Sequence, residues 1–164
     1  MAEPGAKTPN EPAGAGIRRI LIPTDFSELS EAGVAYGIAL ARQLGATVSF
    51  FHCVERLDIP NPMVPLCDAG YADLQDQAQA HLLDLIRRAK EQGVEAASEL
   101  VDGVPFVEII RAARKLNADV IVMGTHGRTG LGHVMMGSQA ERVVRQSPCP
   151  VLTVKSPKHR YEPL

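Results

Sequence analysis

Short apolar runs alternate with longer amphipathic segments along most of the chain, and this alternation limits the choice of fold more than any other feature. The apolar runs are rich in β-branched and aromatic residues and predict five strands, at 17–23, 47–54, about 95–101, 119–123 and 150–155. The segments between these runs have apolar residues at helical spacing. Such alternation predicts parallel strands joined by right-handed crossovers. We therefore expect a doubly wound α/β fold, with a single five-stranded parallel sheet in the order 3-2-1-4-5 and helices on both faces.

The first helix is predicted over 27–44, and Gly45 follows it as a stop signal. Its apolar residues recur at three- and four-residue steps, namely Leu29, Ala32, Tyr36, Leu40 and Leu44. Such spacing is typical of a helix.

The domain is expected to extend from residue 17 to residue 156. Residues 1–16 are rich in Ala, Gly, Pro and Glu without hydrophobic periodicity, so they are predicted to be a disordered N-terminal tail. Residues 157–164 are assigned to a C-terminal tail. Within the domain, three prolines between residues 57 and 70 predict an irregular connection.

Charge and composition exclude two classes of partner. With 17 basic and 19 acidic side chains the formal charge is -2, which provides no long-range attraction to nucleic acid or to an anionic membrane. Aromatic residues make up 4% and Trp is absent, so the stacking platforms of single-strand binders are missing. No window of about 18 uninterrupted apolar residues indicates a membrane span. Three irregularly spaced cysteines match neither a disulfide framework nor a metal pair, and they favour a reducing cytoplasm.

A glycine-rich segment directly follows the fourth predicted strand and ends where the next helix begins. It contains five glycines in fourteen residues, from Gly124 to Gly137. Glycine allows close backbone approach and a helix N-terminus adds free N–H donors, so this composition favours an anion site held by the main chain. Two familiar motifs do not fit. A P-loop requires Lys where Ser138 stands, and a dinucleotide fingerprint requires Gly where Met135 stands.

Residues on either side of this predicted site have more than one interpretation. Asp25 follows the first strand, opposite the glycines, where its carboxylate is suited to accept hydrogen bonds from a base or a ribose. Alternatively, Asp25 or Ser27 caps the following helix. Ser138 is suited to contact an anion, but Ser138 and Glu141 also match a capping box that would satisfy the first amides of their own helix. The residues alone leave these alternatives open.

Three short motifs together resemble the universal stress protein family. They are Gly124-x2-Gly127-x9-Gly137-Ser138, Pro-Thr-Asp-Phe-Ser at 23–27, and Phe-His-Cys at 51–53. The resemblance extends from about residue 17 to residue 155. Its glycine spacing is typical of the ATP-binding branch of that family. The resemblance therefore implies ATP as the ligand.

The same resemblance implies a role for each part of the site. The first strand ends beside the adenine and ribose, Cys53 flanks the adenine, and the glycines with the start of the next helix hold the phosphates. The candidate binding residues are Pro23, Thr24, Asp25, Cys53, Gly124, Thr125, His126, Gly127, Arg128, Thr129, Gly130, Gly137, Ser138, Gln139 and Ala140. Two positions depart from relatives, since Cys53 stands where an aliphatic residue such as Val is common and Gly130 where some relatives carry Asn or another polar residue.

Charged and titratable side chains near the site are few. Arg128 is the only permanent cation in the glycine-rich segment and is suited to pair with phosphates. His126 either bonds a phosphate or shapes the loop, whereas His52 and His133 are interpreted as structural or surface groups.

The expected function is that of a cytoplasmic stress-adaptation or regulatory protein, in which bound ATP biases the loops and so the choice of protein partner. No Ser/His/Asp or Cys/His arrangement is evident, and the glycine-rich segment contains no carboxylate, so we do not expect an enzyme. Slow ATP hydrolysis stays open, with Mg²⁺ held by phosphates and Asp25 or Ser138. The alternatives are a phosphoryl or nucleotidyl transferase on the same scaffold and an interaction module without nucleotide.

The last predicted strand is short and apolar and is expected at an edge of the sheet. An open edge invites pairing with another copy of the chain, and the resemblance also implies a homodimer through this strand. The alternative is an edge that Lys155 and Pro157 protect.

Overall fold

Strands and helices alternate along the chain, as the sequence pattern predicts. The computed structural model describes residues 16–55, 68–125 and 137–155. The described elements are β1 (Arg19–Pro23), α1 (Glu28–Leu44), β2 (Thr47–Val54), α2 (Asp68–Glu91), β3 (Ala96–Asp102), α3 (Pro105–Lys115), β4 (Val120–Gly124), α4 (Ser138–Gln146) and β5 (Val151–Val154). Strand β2 and helix α4 have the predicted bounds, and the other strand boundaries differ from the prediction by at most two residues.

The predicted irregular connection at 57–70 is wrong at its end, because α2 begins at Asp68. The last proline of the connection is Pro65, so nothing after it prevents the chain from becoming helical. The rest of that connection and nearly all of both predicted tails lie outside the described residues.

The described strands form one parallel sheet in the order β3-β2-β1-β4-β5, which confirms the predicted topology. Strand β1 pairs with β2 over its whole length, up to the pairing of Pro23 with Phe51. Its pairing with β4 ends earlier, where Leu21 lies opposite Ile121. The carboxyl end of β1 therefore separates from β4 at the point where the strand order reverses, and a crevice opens there.

Alternate residues of the central strands face opposite sides of the sheet, so the domain has a core on each side. Ile20, Ile22 and Phe50 pack on the side of α1 and α2. Leu21 and Phe51 pack on the side of α3 and α4. Within residues 16–55, 68–125 and 137–155, every helix is too short or too polar to cross a membrane.

The buried face of helix α1 combines small residues with large apolar ones. Its buried residues are Ser30, Gly33, Val34, Gly37, Ile38 and Ala41. Tyr36 and Leu44, two of the apolar residues whose spacing predicts the helix, are 50% and 47% exposed. Gly33 and Gly37 allow the helix to lie directly on the strands, and a Cβ at position 33 would be 2.7 Å from the backbone nitrogen of Gly124. Apolar periodicity does not identify this face, because it counts large apolar side chains and ignores glycines that permit close approach.

Candidate functional site

A cavity of about 590 Å³ lies at the carboxyl ends of β1, β2 and β4, where the crevice opens. The predicted binding residues that line it are Pro23, Thr24, Asp25, Cys53, Gly124, Gly137, Ser138, Gln139 and Ala140. Thr125 is described but does not line the cavity, and the candidates at 126–130 lie outside the described residues. The fold thus brings together the end of β1, the end of β2 and the start of α4, which are far apart in the sequence.

A tight turn after β1 presents Asp25 at the cavity. The backbone N–H and the hydroxyl of Ser27 both donate to Asp25 Oδ1, at 3.0 and 2.6 Å. The Ser27 hydroxyl oxygen in turn accepts from the backbone N–H of Ser30 at 3.2 Å and caps α1. The cap is therefore Ser27, and Asp25 holds that cap in place while it lines the cavity.

The N–H, the hydroxyl and the carbonyl oxygen of Thr24 all take part in hydrogen bonds. Its N–H donates to Phe51 O at 2.9 Å, its hydroxyl oxygen accepts from the Phe26 N–H at 3.0 Å, and its hydroxyl lies 3.0 Å from that of Ser30. His52 Nδ1 lies 2.8 Å from Thr24 O, and because a carbonyl oxygen only accepts, the proton is on Nδ1. This bond is buried and agrees with the structural role predicted for His52.

Phe26 has an unusual backbone conformation beside this network. Its φ is 60°, in a region that bulky side chains rarely adopt. The Phe26 ring lies between two imidazoles, with centroids 4.3 Å from that of His52 and 4.9 Å from that of His81. These contacts offset the local strain and hold the turn that carries Asp25.

The N-terminus of α4 faces the cavity without a side-chain cap. Its N-cap residue is Gly137, so the predicted capping box of Ser138 and Glu141 is wrong. Ser138 is already the first helical residue, one position too late to cap the helix. The first bond from a helical amide runs from Glu141 N to Gly137 O at 2.9 Å, which leaves the amides of residues 138–140 without an intrahelical acceptor.

Gln139 joins the two helices that border the cavity on one side. Its Oε1 accepts from the backbone N–H of Phe106 at 3.2 Å, in the first turn of α3. Helix α3 has no side-chain cap of its own at Val104. The Gln139 side-chain oxygen is thus bonded to a neighbouring helix, whereas the Gln139 backbone N–H, in the first turn of α4, has no intrahelical acceptor.

Cys53 presents a neutral thiol to the cavity. Burial raises the pKa of this thiol to about 12, and the carboxylates of Glu108, Glu55 and Asp102 act in the same direction. The thiol is therefore protonated at neutral pH and behaves as a small apolar group. This agrees with the expectation that Cys can replace an aliphatic residue at this position.

Sequence reasoning missed most of the apolar wall around Cys53. That wall also includes Phe51, Met123, Pro105 and Ile109. Strand alternation could have identified Phe51, which lies two residues before Cys53 and therefore on the same face of β2. The two α3 residues had no comparable signal, because the way a helix packs over a sheet depends on side chains from distant parts of the chain.

The cavity also extends to the opposite side of the sheet, toward α2. Gln77 and His81 line it there, together with Phe26 and His52. Among the described residues, no group of three or more His, Cys, Asp or Glu side chains could hold a metal ion.

Comparison with known proteins identifies the family. The model of the universal stress protein family matches residues 16–155. Universal stress protein MJ0531 of Methanocaldococcus jannaschii is 38% identical over 146 residues, which cover 86% of this chain and 84% of that protein. The solved structure of MJ0577, from the same organism, has a TM-score of 0.79 at 28% identity and covers 88% of this chain and 99% of its own.

A more distant solved structure shares the fold. It is the universal stress protein from Archaeoglobus fulgidus in complex with dAMP, with a TM-score of 0.60 at 20% identity, covering 85% of this chain and 98% of that one. The family match spans the whole described sheet, including the strands that border the cavity. The chain therefore belongs to the universal stress protein family.

Proposed function

We propose that the protein binds ATP in the cavity and acts as a cytoplasmic stress-adaptation or regulatory protein, in which nucleotide occupancy biases the loops and so the choice of protein partner. The observation that carries this proposal is the start of α4, where three backbone amides without intrahelical acceptors border the cavity. Such a helix N-terminus favours an anion through its free N–H groups and its dipole.

The two ends of the glycine-rich segment meet beside these amides. Gly137 N donates to Thr125 O at 2.8 Å, so the chain leaves β4 and returns to α4 at one place. Gly124 and Gly137 both line the cavity. A triphosphate at the α4 N-terminus would therefore also lie against the glycine backbone, as the family resemblance implies.

The apolar wall suits a purine base. Phe51, the neutral Cys53 thiol, Met123 and Ile109 provide surface for the flat faces of an adenine. Asp25 also lines the cavity, and its carboxylate is suited to accept hydrogen bonds from ribose hydroxyls. The dAMP complex of the Archaeoglobus fulgidus protein supports an adenine nucleotide as the ligand class.

Mg²⁺ fits this arrangement as an ion carried by the nucleotide. Phosphate oxygens with Asp25 or the Ser138 hydroxyl would supply the hard oxygen ligands that Mg²⁺ prefers, and the ion would offset phosphate charge. We propose that binding rather than turnover is the output. Asp25 Oδ1 already accepts two hydrogen bonds from Ser27, so it is better arranged to position a ligand than to take up a proton.

The direct test is to purify the protein without added nucleotide, denature it, and identify the released small molecules by mass spectrometry. We expect ATP or ADP. Nucleotide-free protein should then bind ATP in calorimetry. A protein that releases no nucleotide and shows no ATP binding would contradict the proposal and favour an interaction module.

Asp25→Asn tests the role of the carboxylate within the same experiment. The amide oxygen can still accept from Ser27, but the charge is lost, so we expect ATP binding about tenfold weaker with little change in stability. Asp119→Asn is a matched control, because Asp119 also accepts two hydrogen bonds, from the backbone amides of Arg18 and Arg19 at 3.0 and 2.9 Å, but lies at the amino ends of β1 and β4, away from the cavity. It should leave ATP affinity unchanged. Rapid ADP formation that Asp25→Asn abolishes would instead indicate an enzyme.

A further inference from the structure

Gly33 lies in α1 directly beneath the place where the glycine-rich segment begins. It is buried, and a Cβ at this position would lie 2.7 Å from the nitrogen of Gly124 and 2.9 Å from the carbonyl carbon of Met123. Both are main-chain atoms, so no change of side-chain rotamer could relieve the contact. Any larger residue at position 33 must push the end of β4 or the helix itself.

The backbone that Gly33 touches is connected to the rest of the candidate site. Gly124 pairs with Val154 of β5, and Thr125 N donates to Val154 O at 3.1 Å. Thr125 O accepts from Gly137 N at 2.8 Å, which is the N-cap residue of α4. A displacement of Gly124 is therefore transmitted through Thr125 to the N-terminus of α4, which borders the cavity.

We propose that Gly33 is a positioning residue for the nucleotide: it sets how closely α1 approaches β4 and thereby places the backbone amides that hold the phosphates. This inference rests on the proposed function, since it concerns the same cavity. Gly33 has no side chain that could contact a ligand. Its effect comes from allowing α1 to lie against the end of β4.

Gly37 provides a matched control one turn further along α1. It is also buried on the face toward the sheet. A Cβ there would overlap Cδ1 of Ile22, and would lie 3.0 Å from Cγ1 of Ile22 and 3.6 Å from Cβ of Val122, which are all side-chain atoms. Ala at position 37 therefore overpacks side chains of the core and does not contact the backbone of the site.

The experiment compares Gly33→Ala and Gly37→Ala with the unchanged protein. Affinities for ATP and for adenosine are measured by calorimetry, and the melting temperature is measured without nucleotide. We expect Gly33→Ala to bind ATP at least about tenfold more weakly, the effect of losing one hydrogen bond to a charged group, with adenosine affected much less. Gly37→Ala should stay within about twofold of the unchanged protein for both ligands, even if its melting temperature falls.

Equal ATP affinity in Gly33→Ala and the unchanged protein would overturn the inference, as would equal losses in both variants. If the unchanged protein binds no ATP, the proposed function fails. Whether position 33 controls the backbone of the site is then tested by the amide NMR signals of Gly124 and Gly137. These signals should shift in Gly33→Ala and not in Gly37→Ala. Failure of Gly33→Ala to fold, even with trimethylamine N-oxide to strengthen burial, would also overturn the inference, because the contact would then serve the fold rather than the site.

Discussion

At the residue scale, Cys53 shows how the surroundings of a side chain determine its chemistry. It is partly buried on the apolar side of the cavity, with the carboxylates of Glu108, Glu55 and Asp102 close enough to oppose its ionisation. A free thiol in water would be partly ionised in mildly alkaline solution. Here the pKa of about 12 keeps it neutral, which suits a surface against a base and makes it a poor nucleophile.

This shifted pKa predicts how stability depends on pH. Below pH 9.0, the ordinary value, the thiol is protonated in both the folded and the unfolded chain. Between pH 9.0 and about 12 the unfolded chain releases this proton and the folded chain keeps it, so the free energy of unfolding falls as pH rises. We therefore predict that urea unfolding at pH 8 and pH 10 shows a smaller loss of stability in Cys53→Val than in the unchanged protein.

The comparison between those two proteins isolates Cys53. Burial also raises the pKa of the Cys149 thiol, but that residue is present in both proteins and its effect cancels. Identical pH dependence in the two proteins would contradict the assignment of a buried, neutral thiol at position 53.

At the scale of elements, α3 and α4 are joined at the ends that face the cavity. Helix α3 begins at Pro105 without a side-chain cap, and Gln139 from the first turn of α4 accepts the bond from Phe106. The Arg142 guanidinium lies 5.0 Å from the centre of the Phe106 ring and adds a cation–π contact between the same helices. The two helix N-termini therefore form one unit at the site.

Substitutions of Gln139 should distinguish the contribution of its bond to Phe106 from its position beside the proposed phosphate site. Gln139→Ala removes the only side-chain acceptor described for the start of α3 and should cost about 1 kcal/mol in chemical unfolding. Gln139→Glu keeps an acceptor and adds a negative charge near two helix N-termini, so it should retain stability. The same charge should weaken ATP binding by repelling the phosphates, as measured by calorimetry.

Gln146→Ala is the control for this pair, because Gln146 is exposed at the other end of α4. It should change neither stability nor affinity. If Gln139→Glu bound ATP as tightly as the unchanged protein, the phosphates would not lie at the start of α4.

At the scale of the whole molecule, β5 is an edge strand. Among the described residues, it pairs with β4 on one side and with no strand on the other. Pro150 O accepts from Ile121 N and Val154 O accepts from Thr125 N, so the backbone of alternate residues is directed toward β4. The backbone groups of Val151 and Thr153 therefore point to the open edge. This edge supports the proposal of a homodimer through β5, since an unpaired strand edge favours addition of another strand.

Thr153→Pro tests that dimer. It removes an N–H directed away from β4, and Pro is tolerated at an edge strand, so the fold should persist while pairing between copies is lost. We expect light scattering at micromolar concentration to show twice the mass of one chain for the unchanged protein and a single chain for the variant. A monomer mass for the unchanged protein would contradict the dimer.

Most of the fold could be predicted because its signals are local. Apolar runs such as 47–54 and 119–123 mark strands by their length and composition, and the alternation of strands with helices restricts them to a parallel sheet. The candidate site could be predicted only in part. The family motifs identified the ends of β1, β2 and β4, but neither the α3 wall nor the bond between Gln139 and Phe106 leaves a pattern in the residues that form it.

The sequence by itself therefore determined the order of the elements, their parallel arrangement and the glycine spacing at the end of β4. Only the tertiary structure decided which face of α1 is buried, that α4 starts without a side-chain cap, and which atom Gln139 bonds. Periodicity and motifs report on neighbours along the chain, whereas these outcomes depend on surfaces that meet after folding. Gly33 is the clearest case, because its proposed role depends on its close approach to the backbone of Gly124, which is far from it in the sequence.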